Sequence, residues 1–382
     1  MEELAIFGGK PVRENKIFYG RQYIDQADVD AVAAVMTSDY ITCGPKVKEL
    51  EEHLCELTHA KYAVVVCNGT AALHLAALAA GFGEGDEVIV SSITFAASSN
   101  CVLYAGAKPV FADINPETYN IDPASIRKLI TPRTKAIVAV DFTGQAVELD
   151  EIREICKEHN LILIEDATEA LGTYYTSGPF AGKYAGTIGD VGVYSFNGNK
   201  LITTGSGGMV VSNHPDWAEH AKHLSTQAKA DELQFLHDEV GYNYRLTNLQ
   251  AALGLAQIEQ VEGFIAHKHE MWQMYKDALD GKNGYRILPF RDDCTRPNKW
   301  FFSLYLEDPR HQRDQVIQAL KEQKIQTRPV WALIHEQADY GKNQVFSDEK
   351  AQDYRAKIVN LPCSTNLTRE DCQRVIDALL AL

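Results

Sequence analysis

The sequence predicts an α/β protein in which a mostly parallel central sheet carries helices on both faces and a smaller α+β domain follows at the C-terminus. Three observations lead there. Short β-branched runs alternate with helical stretches between residues 62 and 164, the pattern of strands joined by helical crossovers. One of those runs, Leu161-Ile162-Leu163-Ile164, is wholly apolar, as expected of a parallel strand covered on both faces. The chain has 382 residues, more than a single core of roughly 250–300 residues accommodates, and after Leu246 the alternation gives way to a long helical pattern. The chain therefore divides into a large domain, residues 1–255, that includes an N-terminal arm, and a small domain, residues 256–382.

In order, residues 25–37 have helical spacing with Val29, Val32, Ala33 and Met36 on one face, and Gly44-Pro45 breaks the chain before a second helix through Val47, Leu50, Leu54 and Leu57. Residues 62–66 form the first strand, which stops at Cys67-Asn68-Gly69-Thr70 and hands over to a helix across 71–80. Strands at 87–90, 109–111, 136–140 and 161–164 then alternate with helices at 96–104, 123–129 and 150–158. Residues 192–196 and 208–212 read as two short strands at an edge of the sheet. One helix from 246 to about 279 links the domains. Beyond it, 300–306 is strand-like, while 313–323 and 371–382 are helical. Neither a repeat nor a low-complexity tract interrupts this order.

Composition narrows the function. There are 37 basic and 52 acidic residues, a formal charge of −15, with no basic run, which argues against a nucleic-acid partner. Eight cysteines lie scattered without a Cys-x-x-Cys pair or zinc-finger spacing, so they read as reduced packing residues and no metal site is expected. The first residues lack a basic stretch followed by an apolar core, and no run of eighteen apolar residues occurs. A cytoplasmic protein that neither enters nor spans a membrane is expected.

The chemistry is concentrated in two places. The apolar run at 161–164 ends in Glu165-Asp166, and Lys200 follows the strand-like Val193-Tyr194-Ser195-Phe196 through Asn197-Gly198-Asn199. A lysine amine and a buried acid are what pyridoxal phosphate requires, since the lysine forms a Schiff base and the acid keeps the pyridine nitrogen protonated. The plainer alternative makes Asp166 a helix cap and Lys200 a solvated loop lysine. Further signals favour the cofactor. Asn68-Gly69-Thr70 puts a glycine and a hydroxyl at a strand-to-helix turn, where free amides and the helix dipole suit a phosphate, although the same turn serves as an ordinary cap. Ser195 offers a second phosphate hydroxyl. Phe95 supplies a flat face for a ring, or else a core side chain. Glu169, one helical turn beyond Asp166, is placed to reach the cofactor's ring oxygen, unless it is a surface acid.

Together Asn68-Gly69-Thr70, Thr94-Phe95, Glu165-Asp166-Ala167-Thr168-Glu169-Ala170-Leu171-Gly172, Tyr194 to Lys200 and Gly241-Tyr242-Asn243-Tyr244-Arg245-Leu246 resemble the DegT/DnrJ/EryC1 (StrS) family of sugar-nucleotide aminotransferases, in order over nearly the whole chain. The resemblance implies a pyridoxal-phosphate enzyme of fold type I, like aspartate aminotransferase, built as a homodimer with active sites at the subunit interface. It implies that Lys200 holds the cofactor, Asp166 pairs with the ring nitrogen, Phe95 stacks on the ring, and Gly69, Thr70 and Ser195 hold phosphate. Asn68, Glu169 and Asn197 complete the cofactor site, and Asn243 reaches the phosphate of the neighbouring subunit's cofactor.

Gln326-Thr327-Arg328-Pro329-Val330-Trp331, with His335, is similar to the substrate-side motif of members that aminate nucleotide-linked 4-keto-6-deoxy sugars. There Arg328 would pair with a diphosphate or a donor carboxylate and Trp331 pack on a sugar or base. Asn197-Gly198-Asn199-Lys200 further resembles the 4-aminotransferases of UDP-4-keto-6-deoxy-N-acetylglucosamine, on the route to bacillosamine or legionaminic acid, with L-glutamate as the amino donor. Two positions depart from the family: Gly198, where many relatives have proline, and Ser206, where many have glutamate. Three rivals stand beside this reading. A dehydratase of the superfamily would carry histidine in place of Lys200, a 3-keto sugar aminotransferase differs only in how its pocket orients the ring, and a non-catalytic regulator would have lost the lysine, the acid or the phosphate turn.

Overall fold

The computed structural model describes residues 15–231, 233–337, 340 and 349–382. The N-terminal arm before residue 15 lies outside them. At the centre is a seven-stranded sheet of β1 (Tyr62–Val66), β2 (Glu87–Ser91), β3 (Lys108–Ala112), β4 (Thr134–Val140), β5 (Ile162–Asp166), β6 (Val191–Ser195) and β7 (Gly208–Ser212), in the order β1-β7-β6-β5-β4-β2-β3. The pairs from β3 across to β6 are parallel, and β7 runs antiparallel to both β6 and β1. The strands at 191–195 and 208–212 are therefore not at an edge: they sit between β1 and β5. Tyr62–Val66, first in sequence, takes the edge instead.

The apolar strands serve two cores in strict alternation. Ile137, Ala139 and Leu163 face one hydrophobic cluster, while Ala136, Val138 and Ile164 face the other, as the period of two along a strand requires. Helices cover both faces: α1 (Gln26–Met36), α2 (Pro45–Thr58), α3 (Gly69–Ala79), α4 (Ala97–Tyr104), α5 (Pro123–Leu129), α6 (Leu149–His159) and α7 (Pro215–Ser225). The second cluster is lined by Ala71, Ala72, Ala76 and Ala77 of α3, whose small side chains let that helix lie close to the sheet. The face of α1 defined by Val29, Val32, Ala33 and Met36 is not the buried one. Asp28 and Val35 are buried instead, with Val29 and Met36 exposed, because the Asp28 carboxylate accepts a 2.8 Å hydrogen bond from Gln257 Nε2.

The helical stretch after Leu246 is two helices, α8 (Asn248–Ile258) and α9 (Val261–Leu279), separated at Glu259-Gln260. Thr247 begins α8 with a capping box to Gln250. The first turns of α9 contribute Val261, Phe264 and Ile265 to the core of the central sheet, and its later turns contribute Met271, Trp272, Tyr275 and Leu279 to a separate core. That core lies against an antiparallel sheet of β8 (Tyr285–Ile287), β9 (Phe302–Leu306), β10 (Arg328–Pro329) and β11 (Ile358–Leu361), ordered β8-β9-β11-β10. Helices α10 (Arg313–Glu322), α11 (Glu349–Lys357) and α12 (Arg369–Leu380) complete this part. The strand at 300–306 begins only at Phe302, and Trp300 and Phe301 precede it. Ile17 joins the same core and bridges to Ile325, so the start of the described chain packs with its end.

Among the described residues no helix is long and apolar enough to cross a membrane, and no cluster of His, Cys, Asp and Glu side chains could hold a metal ion. The eight cysteines form no disulfide. Four are buried, but Cys43 is exposed and its sulfur accepts a hydrogen bond from Arg245, so it is not a packing residue.

Candidate active site

Every parallel strand of the central sheet ends on the same side, and most of the side chains singled out in the sequence gather there, His335 and Asn243 being the exceptions. A cleft of about 630 Å³ is lined by Asn68, Gly69 and Thr70 after β1, Phe95 and Ser98 after β2, Asp166, Thr168 and Glu169 at and after β5, and Ser195, Asn197, Asn199 and Lys200 at and after β6. The C-terminal part closes it with Trp300, Phe301, Arg328, Pro329, Val330 and Trp331. This is the edge at which parallel α/β sheets bind ligands.

Asp166 is the last residue of β5 and is buried. Ser98 Oγ donates to its Oδ2 at 2.6 Å, and the Thr168 amide donates to its Oδ1 at 3.2 Å. It is not a helix cap, for no helix follows β5 directly. Lys200 is half-buried, but its Nζ is enclosed. That enclosure pulls its amine below the usual lysine range, opposed first by Glu169 and then by Asp166. Glu169 is no surface acid: it is 3% exposed and accepts a 2.7 Å hydrogen bond from the Thr143 amide. Burial raises its carboxyl to about 7 against the opposing pull of Lys200. Asp141, behind it, is raised well above the carboxylate range, chiefly by burial and next by Glu165.

The turn after β1 combines both of its readings. Asn68 caps α3, its side chain accepting from the Ala71 amide at 2.8 Å, while the amides of Gly69 and Thr70 belong to the first turn, which has no intrahelical acceptors. Glycine is required at 69, since a Cβ there would lie 2.9 Å from Ser195 Cβ and 3.0 Å from Ser195 Oγ. The α3 terminus and the Ser195 hydroxyl are thus pressed together. Ser206, one of the two departures from the family pattern, donates from Oγ to the Cys67 carbonyl at 2.7 Å and so ties the loop after Lys200 to this turn. Asn197 lies at the cleft mouth, its Nδ2 donating to Asn199 Oδ1 at 3.2 Å.

Phe95 is 55% exposed and is not a core side chain. Its ring meets that of Trp331 edge-on at 6.1 Å, and Trp331 also packs edge-on to Phe142 at 5.5 Å. Arg328 and Trp331 both face the cleft. His335 does not line it: its ring lies 6.0 Å from that of Phe111, because the short 3-10 turn Ile334–Glu336 directs it toward β3. Asn243 is exposed, outside this chain's own cleft, in a segment where Thr226 and Asn243 form a bridge.

Sequence reasoning missed Ser98, Thr168 and Trp300, and also Tyr19, which lines the same cleft. The serine pair at 98–99, just beyond Thr94-Phe95, and the aromatic run at 300–302 were the available signals.

The profile of the DegT/DnrJ/EryC1/StrS aminotransferase family matches residues 22–380. The chain belongs to that family. It is a pyridoxal-phosphate-dependent sugar-nucleotide aminotransferase, with the mostly parallel sheet of fold type I. The aminotransferase is 40% identical over 359 residues to the GDP-perosamine synthase of Caulobacter vibrioides, covering 93% of this chain and 95% of the relative. Among solved structures it is similar to Helicobacter pylori PseC, an aminotransferase of pseudoaminic acid biosynthesis, with a TM-score of 0.88, 29% identity and coverage of 96% and 99% of the two chains. It is also similar to DesI, determined with its TDP-sugar product, with a TM-score of 0.90, 29% identity and coverage of 99% and 95%.

The residues present fit the family's cofactor. A phosphate suits the cradle where Gly69 leaves room beside Ser195, and the buried Asp166 and the enclosed Lys200 amine are of the kinds that would supply the acid and the nucleophile the chemistry needs.

Proposed function

We propose that this aminotransferase moves the amino group of L-glutamate to C4 of a nucleotide-linked 4-keto-6-deoxy sugar, of the UDP-4-keto-6-deoxy-N-acetylglucosamine type, in cell-surface glycan biosynthesis. The observation that carries the reading is the composition of one cleft: an enclosed lysine amine, a buried acid and Phe95 from the central-sheet side, and Arg328 and Trp331 from the C-terminal side, with the Phe95 and Trp331 rings meeting between them. The division of labour follows the chain, with residues 1–255 holding the cofactor and residues 256–382 meeting the substrate. The enzyme works in the cytoplasm as a homodimer, and Asn243, exposed on its own subunit, reaches the phosphate in its partner's cleft.

In this account Gly69, Thr70 and Ser195, with Asn68 and Asn197 beside them, hold the cofactor phosphate. Asp166 pairs with the ring nitrogen, oriented by Ser98 and Thr168, and Phe95 lies on the ring. Glu169 meets the ring oxygen. Bound there, pyridoxal phosphate would supply an electron sink at the carbon that carries nitrogen. Lys200 Nζ takes the proton from the α-carbon of glutamate and, in the second half-reaction, returns one to C4 of the sugar. Burial disfavours the charged form of this amine and so favours the free base that accepts the proton. Arg328 pairs with the diphosphate or with the donor carboxylate, and Trp331 packs on the sugar.

A GDP-linked substrate is the second reading, favoured by the name of the Caulobacter vibrioides relative. The test is to convert the enzyme with L-glutamate, following loss of the yellow absorbance of the lysine-bound cofactor, and then to present UDP- and GDP-linked 4-keto-6-deoxy sugars separately. Recovery of the absorbance with the UDP sugar supports the proposal. Recovery with the GDP sugar alone selects the second reading, and recovery with neither rejects both.

A further inference from the structure

Trp300 is 3% exposed and lies immediately before β9, in a segment held at several points. Asn298 Nδ2 donates to the carbonyls of Glu169 and Leu171, at 2.8 and 2.9 Å. Lys299 then adopts φ 52°, a left-handed conformation that costs energy and persists only where its surroundings enforce it. Here they do: Lys299 Nζ pairs with Asp292 at 2.7 Å and lies 3.6 Å over the Trp272 ring. The turn sends Trp300 in the other direction, into the cleft. Its indole Nε1 donates to the Asn199 carbonyl at 2.8 Å, and Phe301 stacks against it with centroids 3.5 Å apart and planes at 19°. The indole plane is thus fixed from both ends.

Against that plane lies Lys200 Nζ, 4.0 Å from the ring centroid. We propose that Trp300 is a positioning residue for the catalytic lysine: its indole face holds the Nζ ammonium of Lys200 whenever that amine is not bound to the cofactor, and keeps it within reach for return. The charged groups facing the amine are Glu169 and Asp166, both from the turn at the end of β5; the segment before β9 brings only rings. Burial opposes a charge on Nζ, and the π face offsets part of that opposition, as it does for cations over indole in desolvated sites. The same indole holds the backbone of Asn199, the residue next to the lysine. The C-terminal part of the chain therefore sets both the place and the proton affinity of a lysine carried by the central sheet. The inference rests on Lys200 being the cofactor lysine.

The test uses protein loaded with pyridoxamine phosphate, which leaves the lysine amine unattached whatever the natural donor is. Competitive acetylation with acetic anhydride across a pH series, read by peptide mass spectrometry, gives the titration midpoint of Lys200. Trp300→Leu keeps an apolar side chain, though a smaller one, and removes the π face, and should lower the midpoint by about one pH unit. Trp300→Phe keeps a ring face without the N–H, and should lower it by less. A midpoint unchanged in both variants, or raised in both, overturns the proposal. Borohydride reduction of the pyridoxal-phosphate form and peptide mapping identify the cofactor lysine independently. Cofactor on another residue would overturn the proposal through its premise, and that failure would be visible as such.

Discussion

Ser98 Oγ donates a 2.6 Å hydrogen bond to Asp166 Oδ2, joining the first turn of α4 to the end of β5 inside the cleft. Thr94 Oγ1 lies 2.9 Å from the same serine hydroxyl, so the serine is held on its other side as well. In the proposed function Asp166 addresses one atom of the cofactor ring, which requires its carboxylate plane to be set, and these contacts set it. Ser98→Ala should reduce kcat/KM by roughly tenfold to a hundredfold, the range for a hydrogen bond to a charged group, with binding of the nucleotide sugar little changed. Steady-state kinetics with both substrates checks this, and equal losses for sugar binding and turnover would contradict it.

Gly69 faces Ser195 with no room for a methyl group. Gly69→Ala should separate the α3 terminus from β6 and weaken retention of the cofactor by at least about tenfold, on the scale of one lost charge-assisted hydrogen bond. Absorbance remaining after dialysis against cofactor-free buffer measures the loss. Full retention would show that the phosphate lies elsewhere.

Glu169 gives the protein a pH signature. Burial raises its carboxyl from 4.5 to about 7, so the folded protein holds this proton more tightly than the unfolded chain does. Its contribution to stability is therefore present at acid pH and is lost as pH rises from about 4.5 to about 7, with no further change above. Glu169→Gln cannot titrate and should lack this slope. Urea midpoints for both proteins at several pH values test the sign: the variant should gain on the parent as pH rises through that window, and a parallel pair of curves would refute the linkage.

Arg328 and His335 separate two neighbours in sequence by their surroundings. Arg328 lines the cleft, whereas His335 lies against Phe111. Arg328→Ala should raise KM for the nucleotide sugar or for glutamate by roughly tenfold to a hundredfold, and the substrate affected identifies its partner. His335→Ala should leave both KM values within about twofold, since its ring does not line the cleft. A large rise for His335→Ala would mean that the turn at 334–336 rearranges when substrate binds.

Much of this was legible in the sequence because it is local. The alternation in β4 and β5, the Asn68-Gly69-Thr70 turn and the Asp166 and Lys200 motifs are each contained in a few consecutive residues, and strand ends deliver them to one edge. What the sequence did not disclose depends on partners far along the chain. Asp28 reverses the face that α1 buries by bonding Gln257, 229 positions away. Ser98 reaches Asp166 across 68 positions and Trp300 reaches Asn199 across 101. The placement of β6 and β7 inside the sheet depends on β1 pairing with β7, a non-local choice. The break at Glu259-Gln260 carries neither glycine nor proline, so nothing in the residue pattern marks it.

Transfer of nitrogen is the central claim, and labelled nitrogen tests it most directly. Enzyme supplied with [15N]glutamate and UDP-4-keto-6-deoxy-N-acetylglucosamine should yield a sugar nucleotide carrying 15N on C4, located by NMR, and the Lys200→Ala variant should yield none. Nitrogen at C3, or an unlabelled sugar despite consumption of glutamate, would contradict the account.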